Sequence, residues 1–178
     1  MRILHLIEKS RDRGPLADTL TLPFERRQKS RQRVTLDSGR EAGIMLAPGT
    51  CLRDGDVLRA DSGELVRVRA AVEAVSTART GDPLRLARAC YHLGNRHVPV
   101  QVGPGWARYL CDHVLDDMLR QLGLSVGVDQ APFEPEGGAY AGRHAHEHEH
   151  EHEHEHEHAS AVDDAHTGRH RHAGGHSH

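Results

Sequence analysis

The 178-residue sequence predicts an α+β fold in three parts. An N-terminal antiparallel β domain covers residues 1–76, a βαββαβ domain covers 77–137, and a disordered His-rich tail covers 138–178. Three observations carry this. Short apolar alternations broken by turn residues fill the first part, and two amphipathic helical patterns with strands between them fill the second. In the third, 13 of the 17 histidines fall between His144 and His178, in a stretch with almost nothing apolar to offset its ordering entropy.

In the first part, Leu20-Thr21-Leu22 stops at Pro23, Val34-Thr35-Leu36 stops at Asp37-Ser38-Gly39, and Ile44-Met45-Leu46 stops at Ala47-Pro48-Gly49. Further turns are signalled at Asp54-Gly55 and Ser62-Gly63. Strands punctuated at this spacing belong to a small antiparallel sheet. The basic run Arg26 to Arg33 between two of them reads first as a solvated loop or a strand edge blunted by charge, and second as a docking site for an acidic partner. Leu65 to Val75 reads as one strand. Asp82-Pro83 then opens a helix with Leu84, Leu86, Ala87, Ala89, Cys90 and Leu93, ending at Gly94; Asp82 can cap it and Pro83 suits its first turn. Val98 to Val102 is a short strand, Gly103-Pro104-Gly105 a turn, and Trp106 to Leu110 the next strand. Asp112 caps a second helix, whose Val114, Leu115, Met118, Leu119 and Leu122 keep helical spacing before Gly123, and a last strand runs near Leu124 to Val128. The order β-α-β-β-α-β is that of a ferredoxin-like domain, with two helices on one face of an antiparallel sheet.

Composition excludes several functions. The tail from Gly138 carries 3 Arg against 8 acids, a balance of −5, which leaves 20 basic against 18 acidic residues, or +2, for the 137 before it. A body this close to neutral, in a chain with six aromatic residues, does not make a nucleic-acid groove. Apolar runs of only a few residues, including those in Met1 to Arg13, predict neither a signal peptide nor a membrane span. Neither nucleic acid nor membrane is an expected partner. Three cysteines, Cys51, Cys90 and Cys111, in no C-x-x-C spacing point to a reducing cytoplasm rather than a disulfide framework. Lys9 and Lys29 are the only lysines, so no phosphate-binding Gly-Lys-Ser/Thr loop exists, and neither H-E-x-x-H nor G-x-S-x-G occurs. The sequence offers no hydrolytic constellation.

The chemistry lies in imidazole. His144, His146, His148, His150, His152, His154, His156 and His158 alternate with Glu or Ala. Neutral imidazole suits Ni, Zn, Cu and Co, and the intervening carboxylates attract a dication. The competing reading is an engineered purification tag. Against it, the run continues through Ala159 to Asp164 into an irregular second group, His166, His170, His172, His176 and His178. In the body, Cys111 and His113 flank Asp112 near a helix N-terminus, where a thiolate and an imidazole two residues apart could point one way. A lone histidine at a helix end is more often a cap or packing residue; this pair is different in kind, but two ligands do not close a site, and spacing alone leaves it open between the two roles. His97 becomes a ligand candidate if the chain dimerises, because a ligand near a two-fold axis is doubled. Asp116 and Asp117 could orient the His113 imidazole, or simply supply acidity to the first helical turn.

Three stretches carry a family resemblance: Ala89-Cys90-Tyr91-His92-Leu93-Gly94-Asn95-Arg96-His97-Val98-Pro99-Val100-Gln101, Asp112-His113-Val114-Leu115-Asp116-Asp117-Met118-Leu119, and Pro132-Phe133-Glu134-Pro135-Glu136-Gly137-Gly138-Ala139-Tyr140. Together with the His-rich tail they resemble the UreE family of urease accessory nickel metallochaperones. Lys29-Ser30-Arg31 and Asp54-Gly55-Asp56-Val57-Leu58 extend the resemblance into the first half. It implies a cytoplasmic homodimer with an N-terminal partner-docking β domain and a C-terminal ferredoxin-like domain for metal binding and dimerisation, and no enzymatic activity. It also implies that Ni(II) is shared by His97 of both subunits. The cargo would pass, with the accessory GTPase and the other accessory proteins, to the urease apoprotein. His113 matches the second histidine of a His-x-His pair found in some members. Cys111 stands where the first would be, a departure that biases the site toward softer ions such as copper. Zn(II), Cu(II) and Co(II) are therefore alternatives at the same sites. The competing function is a cytoplasmic Ni/Zn/Co storage or detoxification protein without a delivery target. A third reading makes the β domain a peptide-docking module and the tail incidental.

Overall fold

A computed structural model describes residues 4–137. The tail, with its expected disorder and every histidine from His144 onward, lies outside the described residues. The elements run β1 (Leu4–Ser10), β2 (Asp18–Leu22), α1 (Phe24–Arg27), β3 (Arg31–Thr35), β4 (Glu41–Met45), β5 (Val57–Ala60), β6 (Leu65–Ala70), β7 (Val72–Arg79), α2 (Pro83–Asn95), β8 (Gln101–Gly103), β9 (Trp106–Leu110), α3 (His113–Gln121) and β10 (Ser125–Pro132). Strand-rich sheets with few helices make an α+β chain.

The first sheet has six strands in the order β2-β6-β5-β1-β4-β3. It corrects the antiparallel expectation, because β1 pairs with β4 and β2 with β6 in parallel. Apolar alternation says which face a strand buries but not which neighbour it chooses. Both parallel pairs join strands separated by intervening elements, as a parallel connection requires. On β6 the alternation is direct: Val66, Val68 and Ala70 point inward, Arg67 and Arg69 outward. Val66 and Val68 join Leu6, Leu20, Ile44 and Leu58 in one core cluster, where each buried leucine contributes about 1.5–3 kcal/mol. Strand β1 was not expected. A register shift between Leu6 and Glu8 breaks its alternation, so that after the buried Leu6 the three residues Ile7, Glu8 and Lys9 are all exposed.

The Leu65–Val75 stretch, expected as one strand, divides at Ala71, whose amide donates to Leu22 O at 2.9 Å. Beyond it β7 enters a second, wholly antiparallel sheet of order β10-β7-β9-β8. The expected βαββαβ succession is present here. The helices pack on the sheet through Ala89, Leu93, Leu115 and Leu119 against Ala78 and Tyr109. Because the other side is also covered, Val75 to Ala78 are all buried. The strand expected at Val98–Val102 starts only at Gln101, since Val98 and Val100 pack against the helical cluster instead.

The basic run is also reassigned. Arg31 and Arg33 are exposed on the edge strand β3, as a charge-blunted edge would be, but Arg27 is completely buried in the one-turn helix α1. It lies beside a third cluster, Phe24, Val75 and Phe133, in which the two phenyl rings meet edge to face at 5.4 Å. This cluster and Arg27 join the two sheets.

Asp116 supplies acidity to the first turn of α3, as the plainer reading has it, but its carboxylate is turned inward. It is 4% exposed and accepts a 2.7 Å hydrogen bond from the Tyr109 hydroxyl. Burial, with the Asp116 carboxylate beside it, pushes the Tyr109 hydroxyl well above the usual tyrosine range. Tyr109→Phe is expected to cost about 1–3 kcal/mol in urea denaturation, because Asp116 loses its buried donor. In the intact protein the folded state holds the Tyr109 proton more tightly than the unfolded state. The associated stability is therefore complete below about pH 10 and declines as pH rises above it. Urea midpoints at pH 9 and pH 11 check this, and a wild-type loss no greater than that of Tyr109→Phe would contradict it.

Candidate metal centre

His97 follows α2, and its backbone is unusual. Arg96 is the C-cap residue, the His97 amide donates to Gly94 O at 2.9 Å, and the Val98 amide donates to Leu93 O at 3.2 Å. These two bonds form a Schellman ending, in which the residue just past the cap is left-handed and glycine is the usual choice. Here it is His97, at φ 56°, the only non-glycine residue with positive φ among those described. Helix α3 ends in the same way. Gly123 donates to Arg120 O at 2.9 Å, Leu124 donates to Leu119 O at 3.1 Å, and Gly123 has φ 84°. Two equivalent turns thus use glycine in one case and histidine in the other.

The ending expected at Gly94 is therefore shifted by the length of the turn, and its strained residue is the imidazole itself. Left-handed backbone at a non-glycine residue costs on the order of 1–3 kcal/mol and concentrates at functional positions. The side chain is exposed, while Val98, next in sequence, packs against the cluster containing Leu93. The loop is held from below and the imidazole is presented outward. His97→Gly is accordingly expected to raise stability by about 1 kcal/mol while removing the ligand. A urea midpoint lower than wild type would show that the imidazole supports the fold instead.

Cys111 and His113 are exposed on either side of Asp112. The Asp112 carboxylate caps α3 by accepting from the amides of Val114 at 2.8 Å and Leu115 at 3.2 Å. The Cys111 amide donates to Ala74 O at 3.0 Å, which ties the end of β9 to β7. Asp117 pairs with Arg120 at 2.9 Å. Neither acid has an ion pair or hydrogen bond to His113 among the described residues, so the orienting role foreseen for them is absent there. Cys51, Cys90 and Cys111 are free thiols, and burial pushes the Cys90 thiol up. Among the described residues, no group of three or more His, Cys, Asp or Glu side chains is placed to hold one ion. Among the described residues, His97 and the Cys111/His113 pair are therefore not gathered with further ligands.

Two residues of evident structural weight were not singled out as a pair in the sequence. Glu134 reaches the buried guanidinium of Arg27 across 107 positions. No local pattern marks such a contact. The Pro-Phe-Glu-Pro-Glu stretch, noticed only as part of a resemblance, was the one available signal.

Residues 2–71 match the family described as UreE urease accessory protein, N-terminal domain, and residues 73–158 match its C-terminal domain. The chain is similar to proteins named urease accessory protein UreE. In Alkalilimnicola ehrlichii the identity is 66% over 140 residues, covering 79% of this chain and 86% of the relative. In Pseudomonas putida strain GB-1 it is 60% over 138 residues, covering 76% and 84%. In Escherichia coli O157:H7 it is 53% over 142 residues, covering 79% and 92%.

Proposed function

We propose, from the premise that this chain belongs to the UreE urease accessory protein family, that it binds Ni(II) and delivers it to the urease apoprotein during maturation. As an accessory protein of urease maturation it is not an enzyme. The ion is cargo, held by imidazoles that can release it. The observation that carries the reading is His97, an exposed imidazole held in left-handed backbone where the equivalent turn after α3 has glycine.

One imidazole does not make a site, and a single chain supplies no third ligand among its described residues. A homodimer placing both His97 side chains on its two-fold axis doubles the ligand. Residues 77–137, in this reading, are the ferredoxin-like metal-binding and dimerisation domain, and residues 1–76 dock partners. Cys111 and His113 are auxiliary ligands to the same ion or to a second one. The tail histidines His144 to His178 gather ions that the body presents one at a time. Zn(II), Cu(II) and Co(II) compete for these ligands, and the setting is the cytoplasm. No helix among the described residues is long and apolar enough to cross a membrane.

Delivery is tested by activating apo-urease with its accessory GTPase and limiting nickel. The full chain is expected to raise activation well above free nickel, and His97→Ala to remove most of the gain. Metal-dependent complex formation with the GTPase, measured by size-exclusion chromatography, should fall in parallel. If His97→Ala activates urease as well as wild type, or the chain only withholds nickel, the protein is a metal store and the delivery reading fails.

A further inference from the structure

The outward face of the first sheet carries arginines that the nickel reading leaves unused. Arg67 and Arg69 project from β6, and Arg11 and Arg13 follow β1 in the loop toward β2. Two adjoining clefts, of about 430 and 420 Å³, share Gly55 and Arg67. Arg11 and Arg13 line the first, and Arg69 lines the second. Among the described residues, none of these four guanidinium groups has an ion pair within 4.0 Å or a side-chain hydrogen bond. The nearby carboxylates are already engaged: Asp56 with Lys9 at 2.6 Å, Asp12 with Arg59 at 3.5 Å, and Asp54 with the Ala70 amide at 2.8 Å. A fourth carboxylate, Asp37, is held low by the Thr19 hydroxyl and, to a lesser degree, by the charge of Arg69, so Arg11, Arg13 and Arg67 are the more open of the cleft arginines.

Resting on the reading of residues 1–76 as the part that docks partners, we propose that these clefts take an acidic, extended segment of a partner protein, with carboxylates at alternate positions. The spacing supports that ligand. Arg67 and Arg69 are two residues apart on one strand face, about 6–7 Å, which is also the separation of alternate side chains in an extended peptide. Recognition is through side chains and not strand addition. The free edge of β2 is covered by Asp37, whose amide donates to Thr19 O at 2.9 Å and whose carboxylate accepts from the Thr21 amide at 3.1 Å. Its carboxylate also accepts from the hydroxyls of Thr19 and Thr21. Thr19 and Thr21 lie directly across from Arg67 and Arg69. Thr19 also lines the second cleft, but its hydroxyl is already given to Asp37, so a ligand is held by charge-assisted hydrogen bonds to guanidinium. A site of this kind is sensitive to salt, because exposed charges are screened over about 8 Å at physiological ionic strength.

The test uses the full chain and a fluorescent peptide of alternating Glu and Ser, followed by anisotropy at low salt, with a Ser-only peptide as reference. The Glu peptide is expected to bind and the Ser-only peptide not. Arg67→Glu combined with Arg69→Glu should weaken binding at least about tenfold. The same charge change placed elsewhere, Arg31→Glu with Arg33→Glu on β3, should weaken it by less than about twofold. The milder pair Arg67→Gln with Arg69→Gln should fall between, and unchanged urea midpoints and nickel uptake would show that each variant is folded. Equal losses in the two Glu pairs would reduce the effect to net charge, and displacement of the peptide by pyrophosphate at matched charge would make this a small-anion site. Either result, or no binding by wild type, overturns the proposal without touching the nickel reading.

Discussion

A chain ending at Gly142 is expected to lose most of its nickel capacity at neutral pH and to keep about one site per dimer. The shortened chain carrying His97→Ala should bind none. The tail holds 13 of the 17 histidines, all after Gly142, so capacity follows imidazole count. In an extended Glu-His repeat, imidazoles at alternate positions lie about 6–7 Å apart, too far for two to share an ion unless the chain bends. Each ion is therefore held modestly and exchanges readily, which suits a reservoir feeding a presentation site. The pH dependence has a definite sign. Bound imidazole must be neutral and the unperturbed group titrates near ~6.5, so capacity falls as pH drops through that value. The six tail glutamates between His146 and His158 favour the protonated imidazole and move the loss toward higher pH. Equilibrium dialysis at pH 8 and pH 5.5 on the full chain, the 1–142 chain and its His97→Ala form measures all of this. Equal capacity at the two pH values would contradict imidazole coordination in the tail. Zero binding by the 1–142 chain would make the protein a tail-based buffer on a docking domain.

What could be seen in advance differs between helix and sheet for a physical reason. The two longer helices, α2 and α3, announced themselves through Asp82-Pro83 and Asp112, and both aspartates accept from the two amides expected of a cap, whereas the one-turn α1 carried no such signal. Those signals are local, within a few residues of the bonds they predict. The pairings of β1 with β4 and β2 with β6 are not local, and no periodicity encodes them. At the candidate metal centre the identity of His97 came through the resemblance, whereas its left-handed backbone did not. Gly94, three residues earlier, is the more conventional stop, and the displaced ending follows from the bonds of Leu93 and Gly94 with Val98 and His97. The basic run shows the opposite failure. By composition Arg27 is indistinguishable from Arg26 or Arg31, yet it alone among those three is buried, because its partners come from residues 22, 52, 133 and 134.

That burial sets the second large effect. Arg27→Ala is expected to destabilise the protein by about 3–5 kcal/mol, the range for removing one partner of a buried ion pair. Against a typical total of about 5–15 kcal/mol this is severe. The guanidinium donates to Leu22 O and Leu52 O at 3.2 Å each, to Phe133 O, and to the Glu134 carboxylate. Truncation takes a donor from three carbonyls and one carboxylate, of which Leu22 O keeps the Ala71 amide, in a space that the Phe24 ring also borders, with the guanidinium carbon 5.5 Å from its centroid. Arg27→Lys should recover only part of the loss, because an ammonium cannot reproduce the planar fork that spans carbonyl and carboxylate together. Glu134→Gln should cost least. Glu134 is 27% exposed and has other partners in Arg53, at 3.6 Å, and the Asp54 amide, at 3.3 Å. The predicted order of urea midpoints is therefore wild type, Glu134→Gln, Arg27→Lys, Arg27→Ala. The consequence reaches the metal centre, because the segment gripped by Arg27 continues to Glu136, whose amide donates to Val100 O at 2.8 Å, three residues after His97. Loss of the grip should loosen the connection between the first sheet and the loop that presents the imidazole. An Arg27→Ala midpoint corresponding to less than about 1 kcal/mol would show that the buried cation is a tolerated cost and not a fastening.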